Sequence, residues 1–317
     1  FPISAWSASL LAIASILGFI AAGGLKSFSK LGEAKIILLY AALLLCAGAA
    51  FISGGGPASA ALKLPFQPWY NLFGRGGVLE LGYLASMIVG VFTTQIYIQS
   101  LASAQDAGTA RLGAFSSALL MPPMGLLGTW IGLSVRARGV VLQPDKVLSW
   151  FIMDSFPPFL GGLIWGGILI TVIGCAAGLV LGIATNIEKN LLPVKLAQSL
   201  RGRETLIKRG LVFAIVLAAA VLGAGGGGSM ILEWSFLGMG LRGSGTFLPF
   251  ILAILKPQSL SPCWALAASV GGLAGTLLWA ALKLPCDPLF AGLAVSALCA
   301  SAGLLAKRNV LGGGGPF

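Results

Sequence analysis

The sequence predicts an all-α fold, a polytopic transmembrane helix bundle of about nine spans. Three observations carry that expectation. Of 317 residues, 57% are hydrophobic and only 9% are charged, with a mean hydropathy of +0.96, a composition that belongs to membrane chains. The apolar residues gather in runs long enough to cross a bilayer, since ~20 helical residues span ~30 Å of hydrocarbon. The basic residues fall in the short segments between those runs.

Taken in order, the runs place spans at 4–22, 36–52, 77–113, 114–135, 159–187, 210–223, 230–255, 263–282 and 289–306. Between the second and third lies an expected loop, 54–76, whose Trp69, Tyr70 and Phe73 suit a membrane–water interface. Pro122-Pro123 is expected to bend or break the fourth span. Residues 145–158, with Trp150, Phe151 and Asp154 ahead of Pro157-Pro158, read as a short external interfacial helix. The whole chain, 1–317, reads as one transmembrane domain.

Orientation follows from Lys and Arg. With the segment after the first span inside and the rest alternating, thirteen basic residues lie inside and six outside, Arg242 being the twentieth. That is a positive-inside bias, and the basic loop 186–209 dominates it and faces the cytoplasm. The net charge of +11 is therefore a matter of topology, and no nucleic acid partner is expected. The chain has no histidine, and its five cysteines show no CxxC spacing. No metal centre, disulfide framework or enzymatic chemistry is expected from such a set.

The stretch 77–113 is the one the chain is organised around. Its middle, Gly90-Val-Phe-Thr-Thr-Gln95, puts glycine, two hydroxyls and an amide where lipid favours Leu or Ile. Two readings stand open. The helix is interrupted there, exposing backbone to a solute, or it is an ordinary packed helix whose threonines bond back to the preceding turn. On the first reading Phe92, Thr93, Thr94, Gln95 and Tyr97 are the solute-binding candidates and face a cavity.

Charges at membrane depth are functional candidates, because insertion costs about 2.5–3.5 kcal/mol each. Arg242 sits among Gly238, Gly240, Gly243 and Gly245. It either satisfies carbonyls freed by those glycines or contacts the solute as a gate. Glu233, nine residues earlier, falls on the opposite face at ~100° per residue. Glu80 lies near the outer end of the third span. In the fifth span Gly174, Gly178 and Gly182 share one face that admits a close neighbour.

The order of motifs resembles the sodium/solute symporter family, which has the LeuT-type inverted-repeat fold. The resemblance runs from Ala14 onward, through GGLKSF, QIYIQSLASAQDAGTARLG, the small-residue fifth span into ATNIEKN, LEWSFLGMGLRGSGTFLPFILAIL, VGGLAGTLLWAAL and DPLFAGL. It implies that these spans are the family's fourth core helix through its twelfth. A chain that opens Phe1-Pro2 without Met is then expected to be a fragment lacking the first three core helices. The resemblance also implies a cation site on the fifth span, falling here on Thr171, Gly174 and Cys175. The family's paired hydroxyl ligands are replaced by Gly174 and Cys175, which offer no hard side-chain oxygen for sodium. The family's Gln-Arg pair reads Gln99-Ser100.

The function expected is secondary, cation-coupled transport of a small polar organic solute across the inner or plasma membrane, with lipid around the chain and Na+ or H+ as coupling ion. Sodium coupling is in doubt on the residues. The alternative is a transporter-like sensor domain of a signalling protein. Oligomeric state is not legible.

Overall fold

Apolar residues dominate every side of the helix Pro158–Asn186, as befits a helix met by lipid and protein alike. The computed structural model describes residues 5–23, 27–193, 204–225, 231–284 and 286–312. Every regular element among them is helical. In chain order these are α1 (Ala5–Gly23), α2 (Ser27–Gly54), α3 (Gly56–Lys63), the single turn α4 (Phe66–Trp69), α5 (Gly77–Phe92), α6 (Gln95–Ala102) and α7 (Ala107–Ala137). Then follow α8 (Val147–Ser155), α9 (Pro158–Asn186), α10 (Glu204–Gly225), α11 (Ile231–Leu255), α12 (Pro262–Ala281) and α13 (Pro288–Gly312). Proline stands in the first turn of α3, α9 and α12, where its missing N–H costs nothing.

Among the described residues, seven helices are long and apolar enough to cross a membrane, and the bent pair α5–α6 makes an eighth. The expected count was nine; the difference is α1, whose apolar run Trp6–Ala21 is shorter than the rest. Three expectations about connections change. The segment 54–76 is not a plain loop, because α3 and α4 occupy much of it. Pro122 and Pro123 do not break α7, which runs helical through both; just ahead of them the Leu120 carbonyl accepts the Tyr40 hydroxyl. The loop 186–209 is shorter than expected, because α9 continues as a π-helical turn, Ile187–Leu191, and α10 begins at Glu204. Residues 194–203 lie outside the described residues.

The chain forms two compact units, Phe1–Leu64 with Arg111–Ser229, and Pro65–Ala110 with Met230–Phe317. In the first unit α9 packs on α2, α1 and α10. A stripe on α2, Ala42, Cys46, Ala47 and Ala50, meets Ile131 and Val135 of α7, Phe151 and Ile152 of α8, and Ile164 of α9. Phe151 and Ile152 are fully buried while Met153 and Asp154 are exposed, so α8 anchors one face in this core. Arg138 fixes its end: it pairs with Asp154 at 3.3 Å, donates to the Ser53 hydroxyl and lies 5.3 Å over the Phe151 ring.

In the second unit α11 packs on α5, α12 and α13, and the α12–α13 contact is the most extensive. Lipid removes most of the hydrophobic drive between helices, so close approach through small residues has to hold them. A Cβ on Gly292 would strike Thr276 Oγ1 and come 2.6 Å from the Gly272 carbonyl; one on Gly272 would strike the Ser244 carbonyl. Ser244 of α11, Thr276 of α12 and Ser296 of α13 are buried, and Thr276 Oγ1 donates to Ser244 Oγ at 2.7 Å.

Candidate functional site

The second unit contains a broken helix. α5 ends at Phe92, α6 begins at Gln95, and the two are bent by 40°. The Thr93 amide still donates four residues back, to Val89 at 3.2 Å, but the Thr94 amide turns to Val91 at 3.1 Å. Thr94 then takes an extended ψ of 113°. The Gly90 carbonyl is left without that amide and collects side chains in its place. Thr94 Oγ1 donates to it at 2.7 Å, Thr93 Oγ1 at 3.2 Å, and Arg242 Nη2 of α11 at 3.4 Å. The two sequence readings therefore coexist: the helix is interrupted and both threonines bond back to the preceding turn. Hydroxyl donation to freed carbonyls is what lets a break stand at membrane depth.

Gly90 is also the point of closest approach. A Cβ there would lie 2.5 Å from Met239 Cβ and 3.2 Å from Met239 Cα, and one on Gly243 would lie 2.6 Å from Val89 Cγ1. Glycine on both helices brings the Arg242 turn of α11 onto the end of α5.

The five expected solute-binding residues are not gathered around one space. Thr93 and Thr94 are buried, Gln95 is partly covered, and Phe92 and Tyr97 are exposed. Phe92 meets Phe247 of α11 edge to face, with centroids 6.1 Å apart. A cavity of about 640 Å³ lies elsewhere in this unit, along α5, α11 and the segment before α13, and none of Phe92, Thr93, Thr94, Gln95 or Tyr97 lines it. At the break the threonine hydroxyls turn to the Val89 and Gly90 carbonyls.

That cavity was not anticipated. Arg75, on its wall, pairs with Glu80 at 2.9 Å and lies 5.2 Å over the Tyr83 ring, which stacks on Phe236 at 4.1 Å. Asp287 also lines it, and accepts from Ser86 Oγ at 3.1 Å and from the Leu289 amide at 2.9 Å. Glu80, read as a residue near the outer end of its span, is thus half of an ion pair beside a mostly apolar cavity. Glu233 lies in the first turn of α11, but its side chain lies outside the described residues.

The expected cation-site residues lie in the first unit, on α9. Thr171 Oγ1 donates to the Gly167 carbonyl at 2.9 Å and stands 3.4 Å from the Lys35 carbonyl of α2. Gly174 is buried against Lys35, whereas Cys175, one residue on, is exposed and is not brought to the same place. Lys35, counted from sequence among the inner loop charges, is instead a residue of a candidate span, Gly32–Gly54, and is buried. The signal that could have found it is its position directly against the apolar run of α2. Ser244, Thr276, Ser296 and Asp287 were likewise not singled out. Compared with family models and with curated protein sequences, the chain matches none.

Proposed function

We propose that this chain is a secondary active transporter of the symporter type, moving a small polar organic solute across the inner or plasma membrane by alternating access about the α5–α6 break. The observation that carries the reading is the interrupted span itself, with buried Thr93 and Thr94 at the break and a cation, Arg242, on the freed Gly90 carbonyl. Discontinuous helices supply such sites because unwound backbone offers polar groups where lipid offers none. The resemblance to the LeuT-type sodium/solute symporters is part of the same proposal. On it, the break and α11 move against each other, and the glycines at their contact permit the sliding.

The test is reconstitution of the purified chain in liposomes, with uptake of a panel of small amino acids, sugars and quaternary ammonium compounds measured under an imposed ion gradient. Saturable accumulation of a panel member, lost in the double variant T93V/T94V, is the expected result. Valine keeps the shape and removes both hydroxyl donors. Full uptake in the double variant, or none of the panel accumulating, would overturn the reading.

A further inference from the structure

At about 640 Å³ the cavity of the second unit is the size of a small-molecule site. Its lining is mostly apolar, with Val78 and Leu79 of α5, Leu237 of α11 and Leu284 ahead of α13. Such walls favour an alkyl or aryl body over a bare hydrated ion. The charge left over on them decides which body.

Arg75 and Glu80 cancel each other at 2.9 Å. Asp287 is cancelled by nothing: among the described residues it forms no ion pair. Lys283, four residues earlier, is exposed and does not line the cavity. The carboxylate is nonetheless held firmly. The fully buried Ser86 of α5 and the Leu289 amide of α13 both donate to Oδ1. A Cβ on Gly82 would stand 2.7 Å from Asp287 Cβ and 3.3 Å from Oδ2, so only glycine lets this side chain lie so close to α5. Capping α13 accounts for Oδ1, and serine or asparagine would cap as well. It leaves Oδ2 without a hydrogen bond among the described residues, and it leaves the negative charge unanswered.

The aromatic wall favours the same sign. Tyr83 and Phe236 stack at 4.1 Å, and Arg75 already lies 5.2 Å over the Tyr83 ring. Ring faces attract cations, organic ammoniums among them.

We propose that this cavity binds a small organic monocation, an amine or quaternary ammonium with an alkyl or aryl body. Its charged head lies on Asp287 and its body against the Tyr83–Phe236 pair. Arg75 is already held by Glu80, so a zwitterion finds no unpaired cation for its carboxylate. The site is separate from the α5–α6 break and does not depend on the transport reading.

Cys286 lines the same cavity, while the exposed Cys263 does not, so the chain carries both a probe and a reference. The purified full chain is treated with methyl methanethiosulfonate, a neutral thiol reagent, and modification of each cysteine is followed by mass spectrometry. Phenethylamine, phenylalanine and 2-phenylethanol, which share one body and differ in charge, are the competitors. Phenethylamine should slow Cys286 saturably and leave Cys263 unchanged. Phenylalanine and 2-phenylethanol should need about tenfold higher concentrations for the same protection, because they lack a net positive charge. D287N keeps an oxygen to cap α13 and removes the charge, so it should melt near the wild type and weaken protection by phenethylamine about tenfold. Should D287N not fold, the charge series on the wild type decides alone. Equal protection by all three compounds, no protection of Cys286 by phenethylamine, equal slowing of Cys263, or undiminished protection in D287N would overturn the proposal. Uptake enters none of these readouts, so a chain that transports nothing can still pass or fail.

Discussion

Arg242 donates through Nη2 to the carbonyl of Gly90, 152 residues away in sequence and 3.4 Å away in space. The bond joins the glycine-rich turn of α11 to the last turn of α5. Two threonine hydroxyls share that carbonyl, so it keeps partners if the guanidinium is removed. R242L should therefore cost only about 1 kcal/mol of stability, the net worth of one hydrogen bond. It should nonetheless abolish uptake, because it removes the charge at the break. Thermal unfolding in micelles and liposome uptake, measured on the same preparation, separate the two effects. Normal uptake by R242L would show the arginine to be purely structural.

Gly90 itself should tolerate nothing larger. The Cβ of G90A would stand 2.5 Å from Met239 Cβ and 3.2 Å from Met239 Cα, and the second contact is backbone, which no rotamer relieves. Overpacking of this kind costs about 1–3 kcal/mol. M239G, which removes the nearer atom, should recover part of the loss in the double variant. If G90A alone melts like the wild type, α5 and α11 are not in the contact described.

How much of this was legible beforehand differs by feature. Helix positions were, because apolar runs and flanking prolines are local signals; the break was half so, because Gly90, Thr93 and Thr94 are out of place in a lipid-facing run yet equally suit a packed helix whose threonines bond back. What Arg242 bonds to was half legible: its glycine setting pointed to carbonyls, but on its own helix, whereas the acceptor is on α5. The Lys35–Gly174 contact was illegible. Each residue had an ordinary local explanation, one as a loop charge and one as a packing glycine, and only the pairing of α2 with α9 gives them a common one. Pro122-Pro123 misled because the rule for single prolines does not say whether a long helix yields.

The α12–α13 contact predicts a sharp contrast between glycines. G292A would press on Thr276 Oγ1, which is held by its bond to Ser244 of α11, and on the Gly272 carbonyl at 2.6 Å. G128A on α7 meets nothing within 4 Å. The first should lose at least about 1–3 kcal/mol, and the second should gain up to about 1 kcal/mol, the helix-propensity difference between alanine and glycine. Detergent-resistance or thermal-melting assays on the pair would check this. Equal melting temperatures would sink the small-residue account of that contact.

Asp106 gives the chain a pH-dependent cap. Its carboxylate accepts from the Thr109 amide at 2.7 Å and from the Thr109 hydroxyl at 2.9 Å, and these bonds hold its pKa below the usual carboxylate range. A lowered folded-state pKa means the stabilisation is fully present above the unfolded value of ~3.9 and is lost as pH falls through the folded one. D106N caps a helix about as well but does not titrate. The gap in melting temperature between wild type and D106N should therefore stay constant from neutral pH down to about pH 5 and move against the wild type below about pH 4. A gap independent of pH throughout would mean that the carboxylate makes no such bonds in solution.

The last prediction concerns the coupling ion, where family resemblance and residue chemistry pull apart. Resemblance alone says sodium. Yet Gly174 offers no side-chain oxygen, Cys175 is exposed, and the Thr171 hydroxyl already donates to the Gly167 carbonyl. A sodium ion seeks hard oxygen ligands, and beside Gly174 it would also meet the Lys35 ammonium. Either cation driven by the membrane potential brings about 2.3 kcal/mol per charge per 100 mV, so energetics do not choose between sodium and protons. Replacing sodium by choline at fixed pH and potential should therefore leave uptake unchanged, whereas collapsing the proton gradient should reduce it. Uptake that vanishes in choline would place a sodium site somewhere other than α9, and the double variant G174S/C175S would then be expected to leave that sodium dependence unchanged. If instead that variant made uptake sodium-dependent, the serine hydroxyls would have built a sodium site on α9.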